Sequence, residues 1–186
     1  MPINSVYQQE DTVKRIKQEL KKQKQMPSVQ LFEFFTPDVY HQLKRKLTQL
    51  TYKRSTELLH HRYATKKLPA KFFSEEIIEA IQRLVNTEKQ IKFTAYCFSW
   101  KDYQVLHDKK VEKPGTDIIF DFSDKWQDDY GGHIVYVDGR GNYITTPVQG
   151  NTVSIVKRSS SIQKFVQYVN NHGKDKKRLF VIATFS

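Results

Sequence analysis

Apolar positions in this chain change their period once. Up to about residue 86 they recur every three or four residues, and from residue 91 they come in short β-branched and aromatic runs. Within residues 10–25, Val13, Ile16 and Leu20 form a thin apolar stripe at helical spacing, and Pro27 ends the run. Thr36-Pro37-Asp38 is a helix start: Thr as N-cap, Pro at the first helical position, Asp near the positive end of the dipole. Tyr40, Leu43, Leu47 and Leu50 continue it and predict a helix over 37–50. Residues 51–70 are polar, contain H-H-R-Y and end in Leu68-Pro69, which reads as a loop. Ser74-Glu75-Glu76 opens a further helix over 75–86, with Ile77, Ile78, Ile81, Leu84 and Val85 turned to the core.

The second part predicts about eight strands. They are K-F-T-A-Y-C-F, Y-Q-V-L-H, D-I-I-F-D-F, H-I-V-Y-V, Y-I-T-T, T-V-S-I-V, F-V-Q-Y-V and R-L-F-V-I-A-T-F. Asp138-Gly139-Arg140-Gly141-Asn142 is a hairpin turn, and Pro147 with Gly150-Asn151 marks another. Helices first and strands afterwards predict an α+β fold, with helices packed on a β-sandwich or barrel. The organisation expected is a basic N-terminal helix or arm over 1–27, then one domain over 28–186. The segment 10–25 carries six Lys/Arg against three acids, so it reads either as a helix laid on the domain or as a mobile arm touching nucleic acid.

Composition narrows the classes. With 186 residues and 13% aromatics the chain can bury a real core without disulfide or metal. A net charge of +11 favours acidic partners such as RNA, the ribosome or an anionic surface. The single cysteine, Cys97, excludes an internal disulfide and reads as a small buried hydrophobe. No apolar run approaches the roughly 20 residues of a membrane helix, and no secretory h-region is visible, so a cytoplasmic protein without membrane contact is expected.

The segment richest in chemistry runs from Trp100 to Gly139. It places Y-x-x-x-H-D (Tyr103 to Asp108) about 20 residues before W-x-x-x-Y-G-G (Trp126 to Gly132). With Asp117-Ile118-Ile119, N-T-V-S-I-V-K-R (151–158) and F-V-Q-Y-V-N (165–170), it resembles the Fe(II)/2-oxoglutarate-dependent dioxygenase superfamily. The likeness spans roughly 28–186, and F-E-F-F-T-P-D-V-Y fits the helix that leads into the family's barrel. More narrowly, it resembles the metal-free C-terminal domain of the ribosomal-protein prolyl 3-hydroxylases. The resemblance implies a double-stranded β-helix, a jelly-roll or cupin-like barrel.

In that family, His-x-Asp and a later His hold the iron, and an Arg near the chain end pairs with the distal carboxylate of 2-oxoglutarate. Carried over by position, His107 matches the first ligand, the carboxylate slot falls on Lys109, and the later His slot falls on Lys164. Asp108 should point to the opposite face of a continuing strand. Arg178 matches the co-substrate Arg, and Arg178 with Tyr103 would be the cofactor-binding residues if 2-oxoglutarate binds. One ligand in three makes no iron site. No catalytic residue, metal or cofactor is therefore expected, with His107 and Asp108 as remnants.

The expectation is a non-catalytic dioxygenase-like domain acting as a binding or scaffolding module, linked to RNA or translation. Its partner would be a protein, including a separately encoded catalytic oxygenase domain, or RNA or the ribosome met through the Lys/Arg surface. The alternative is an active Fe(II)/2-oxoglutarate-dependent dioxygenase of prolyl-hydroxylase type, with Asp108 turned inward and His133 or His172 recruited. Other residues have plainer readings. Gly131-Gly132 serves a turn or close backbone approach. His60-His61 lacks zinc spacing. Trp100 and Trp126 pack. Lys174, Lys176, Lys177 and Arg178 read as a solvated loop or a phosphate contact.

Overall fold

The computed structural model describes residues 1–87, 89–106 and 113–185. Three helices, α1 (Glu10–Lys22), α2 (Pro37–Thr48) and α3 (Glu75–Val85), accompany eleven strands among these residues. The strands are β1 (Ser28–Leu31), β2 (Lys53–Glu57), β3 (His61–Leu68), β4 (Ile91–Phe98), β5 (Tyr103–Gln104), β6 (Gly115–Asp121), β7 (Ile134–Val137), β8 (Tyr143–Thr145), β9 (Thr152–Arg158), β10 (Gln163–Val166) and β11 (Arg178–Phe185). No helix among the described residues is long and apolar enough to cross a membrane.

All strand pairs are antiparallel, in the order β1-β9-β6-β11-β4-β3-β5-β10-β7-β8, with β2 on the free side of β3. The sheet curls on itself into two layers. One is β1-β9-β6-β11-β4-β3 and the other β5-β10-β7-β8. Strand β3 joins them, because Ala64–Leu68 pair with β4 while His61 and Arg62 pair with β5. This is the double-stranded β-helix, and the α+β class read from the sequence holds.

The larger layer is buried on both faces, which is why its strands read as continuous apolar runs. Along β11, Leu179, Val181 and Ala183 face the helices, and Arg178, Phe180 and Ile182 face the barrel interior. On β6, Ile118 and Phe120 face the helices, and Asp117, Ile119 and Asp121 face inward. Val13, Ile16 and Leu20 of α1 are buried in the same cluster as Leu47 of α2 and Ile81 of α3.

Both later helices lie within two residues of their expected ends. Pro37 takes the first turn of α2, but neither Thr36 nor Ser74 makes a side-chain cap bond. Residues 51–70 correct the sequence reading: the predicted loop is the β2–β3 hairpin. Strand β2 is exposed along nearly its whole length and β3 is polar on its outer side, so neither shows the alternation of a half-buried strand. Among the described residues of the run Y-Q-V-L-H, only Tyr103 and Gln104 form a strand, and Val105 and Leu106 are exposed.

Candidate functional site

Strand β6 carries the feature that shapes the interior. Asp117 and Asp121 alternate with Ile119 on its inward face, and both carboxylates are buried. Charges taken from water must be paired, and partners arrive from other strands.

Asp117 lies at the mouth of the barrel. Its Oδ2 accepts from Lys164 Nζ on β10 at 2.9 Å and from Tyr136 Oη on β7 at 2.9 Å, with Arg158 Nε on β9 at 3.0 Å. Arg158 also donates from Nη1 to the Lys113 carbonyl at 2.8 Å. Burial alone would raise the Asp117 pKa. The charges and hydrogen bonds of Lys164 and Arg158 outweigh it and hold the carboxyl below its ordinary value.

Asp121 lies at the other end of the strand. Arg178 Nη1 reaches its Oδ2 at 2.5 Å and donates to Ser123 Oγ at 2.8 Å, while Arg178 Nε donates to the Gly132 carbonyl at 3.3 Å. Asp121 Oδ1 accepts from the Ser123 N–H at 2.8 Å. The Arg178 guanidinium lies 4.7 Å from the Phe180 ring centroid. Burial pushes the Asp121 carboxyl up against the pull of Arg178. Arg178 stays a cation, because a guanidinium is not deprotonated in proteins. The interior also holds the side chains of Phe98, Ile119, Ile134, Tyr136 and Phe180, all at most 2% exposed.

The double glycine serves this end. Gly131 and Gly132 both have φ of 74°, and a Cβ on Gly131 would lie 2.1 Å from the Tyr168 carbonyl oxygen. Trp126 packs beside them and donates from Nε1 to the Gly131 carbonyl at 2.9 Å. Close backbone approach is thus what Gly131-Gly132 permits.

His107, Asp108 and Lys109 lie outside the described residues. The segment leading to them is anchored by Asp102, whose fully buried carboxylate accepts both guanidinium nitrogens of Arg54, lies 3.3 Å from Arg62 Nε and accepts from the Ser99 N–H at 2.8 Å. Tyr103 follows, half-buried, with its ring centroid 6.5 Å from that of Tyr168. Arg178 is bonded to Asp121, Ser123 and Gly132, and among the described residues it shares no partner with Tyr103. Lys164 is tied to Asp117.

His133 contacts the Asp128 carbonyl at 3.1 Å and His172 the Asp129 carboxylate at 2.9 Å. His61 Nε2 lies 2.8 Å from Ser55 Oγ. Among the described residues no three His, Cys, Asp or Glu side chains group to hold a metal. Cys97 is half-buried and burial pushes its thiol up, away from nucleophilic use. Trp100 is 39% exposed, with the Lys101 ammonium 4.1 Å from its ring centroid, so it differs from the packed residue expected. Arg178 likewise differs from the solvated cluster assigned to it, being 0% exposed.

Sequence reasoning missed Asp121, Arg158 and Tyr136 as partners. The available signal was two acids at i and i+4 on an otherwise apolar strand, a pattern that requires buried cations elsewhere.

No family model and no curated protein matches this chain. Solved structures do. It is similar to a prolyl-4-hydroxylase from Pseudomonas putida, with TM-score 0.70 and 8% identity over 91% of this chain and 97% of that one. It is similar to an oxidoreductase of the 2-oxoglutarate–Fe(II) oxygenase family from Burkholderia pseudomallei, at 0.69 and 10% over 94% and 90%. A Trichoplax adhaerens prolyl hydroxylase, in complex with a peptide fragment of the hypoxia-inducible-factor oxygen degradation domain, matches at 0.70 and 8% over 98% and 93%. At such identities the likeness is one of fold, and it covers nearly the whole barrel with its helices.

Proposed function

We propose that this chain is a non-catalytic member of the Fe(II)/2-oxoglutarate dioxygenase superfamily, acting as a binding or scaffolding module with RNA or the translation machinery as its partner class. One observation carries the reading. The Arg that would clamp the distal carboxylate of 2-oxoglutarate already holds a carboxylate of the protein itself, Asp121, at 2.5 Å. With Nη1 and Nε engaged, only Nη2 is left for a second carboxylate, so the guanidinium cannot grip one through two parallel bonds.

The described side chains do not fit an iron and 2-oxoglutarate site. Lys164, in the slot of the later histidine, is an ammonium committed to Asp117, and a cation there repels a metal ion. The same Asp117 meets two cations and a tyrosine hydroxyl through Oδ2, so a metal ion on it would face two resident positive charges. The excess of 31 Lys/Arg over 20 Asp/Glu supports an anionic partner.

The competing reading is an active dioxygenase of prolyl-hydroxylase type, as two of the similar structures are named. Purified protein incubated with Fe(II), or Mn(II) as its redox-stable substitute, and with 2-oxoglutarate decides between them. Expected are no stoichiometric metal binding and no succinate formed above background. One metal ion per chain together with turnover of 2-oxoglutarate would end the non-catalytic reading.

A further inference from the structure

We infer that the basic groove at the mouth of the barrel binds the phosphodiester backbone of RNA. This names the site through which the RNA partner proposed above would act, and to that extent it rests on that proposal. The groove, about 690 Å3 in volume, lies where the α1–β1 link, the β7–β8 hairpin and the turn after β9 meet. Lys24, Arg140, Lys157 and Arg158 line it with the hydroxyls of Ser159 and Ser161, over buried Met26 and Ile162. Asp138 is the one acid among the described lining residues. Its carboxylate is taken up by its own turn, accepting from the N–H groups of Arg140 and Asn142 at 2.8 and 3.0 Å and from the Asn142 side chain at 2.9 Å.

The positive charge continues beyond the groove. Lys14 and Lys21, and Arg15 and Lys22, are seven residues apart on α1, so each pair shares a side of the helix about 10 Å apart. All four are exposed, on the side away from buried Val13, Ile16 and Leu20, where they outnumber the exposed acids Asp11 and Glu19 beside them, and the chain then runs into Lys24. A helix face of net positive charge leading into a cationic groove fits an extended polyanion, whereas a single phosphoserine would use only one end of it. No aromatic side chain is among the described lining residues. The contact is therefore with phosphate charge and not base stacking, and it carries little sequence preference.

The test measures binding of a labelled oligouridylate and of a phosphoserine peptide by the full chain between about 50 and 400 mM salt. Each phosphate contact contributes a slope of about −0.7 in log affinity against log salt for a single strand. K24Q/R140Q/K157Q should therefore flatten the slope by about 2 and weaken binding about a hundredfold at 0.1 M salt. Arg158 is left intact because it holds Asp117. K174Q/K176Q/K177Q removes the same charge from the loop before β11 and should change affinity less than about twofold.

Equal losses in the two triple variants, a larger loss in the second, or tighter binding of the phosphopeptide would overturn the groove as an RNA site. So would RNA binding by the parent chain that ignores salt or is absent. The metal and turnover assay is independent of these results. An inactive protein that binds no RNA would refute the groove and RNA as the partner but leave the non-catalytic reading standing, and an active one that binds RNA here would refute only the non-catalytic reading.

Discussion

Asp117 and Asp121 stand on one face of β6, four residues apart, and their environments drive them in opposite directions. At the mouth, two cations and a tyrosine hydroxyl converge on Asp117 and hold its carboxyl low. At the far end, Asp121 meets one guanidinium and Ser123 in a fully buried setting, and burial pushes it up. Lys164 and Arg158 keep 13% and 8% of their side chains exposed, whereas Arg178 keeps none. What separates the two is the number of charged donors weighed against the cost of drying them. The wetter cluster also opens toward the basic groove, which Arg158 lines.

The sharpest way to break this comparison is D121A. It strands the Arg178 charge in a dry interior and should cost about 3–5 kcal/mol, read as a fall in Tm of roughly 10 °C or more. D121A/R178M should recover a large part of that loss, because it removes the orphaned charge. A double variant as unstable as the single one would mean that the stranded charge is not what destabilises D121A.

D117N should cost less, about 1–3 kcal/mol in chemical denaturation, since Lys164 and Arg158 can reach water. Equal losses in D117N and D121A would erase the distinction between the two ends.

Acid titration sharpens the same contrast. The folded pKa of Asp117 lies below its unfolded value, so its contribution is complete above the unfolded pKa of about 3.9 and is lost as pH falls through the folded value. D117N should therefore flatten the loss of stability below about pH 4. For Asp121 the shift is upward, so its linkage has the opposite sign: the contribution is complete below about pH 3.9 and declines as pH rises through the folded value. D121N should leave the acid limb in place. Parallel stability–pH curves for D117N and the parent chain would contradict the assignment.

The smallest effect is expected for K164M, about 1 kcal/mol by thermal unfolding, because Arg158 and Tyr136 still hold Asp117. A loss above that of D117N would make Lys164, and not the carboxylate, the centre of the cluster.

Much of the fold was legible because its strands and helices each carry a local pattern. The runs around Phe93, Ile118, Val135, Ile155 and Val181 announced strands, and the stripe from Ile77 to Leu84 announced α3. The β2–β3 hairpin was not legible, since an edge exposed to water has no apolar face to betray it. The buried pairs were not legible in any stretch of the chain: Arg178 reads like any cation after K-D-K-K until its partner Asp121 is known.

By itself, then, the sequence determined the class of fold and most of its helices and strands. Each follows from periods of two or 3.6 residues or from the chain's own order. The tertiary structure alone decided that Asp121 answers Arg178 and that Lys164 answers Asp117, the second of these contacts joining residues 47 apart. Pairings of that kind are set by strand register and by which groups lose their water together. Neither quantity is local, so no stretch of the sequence contains it.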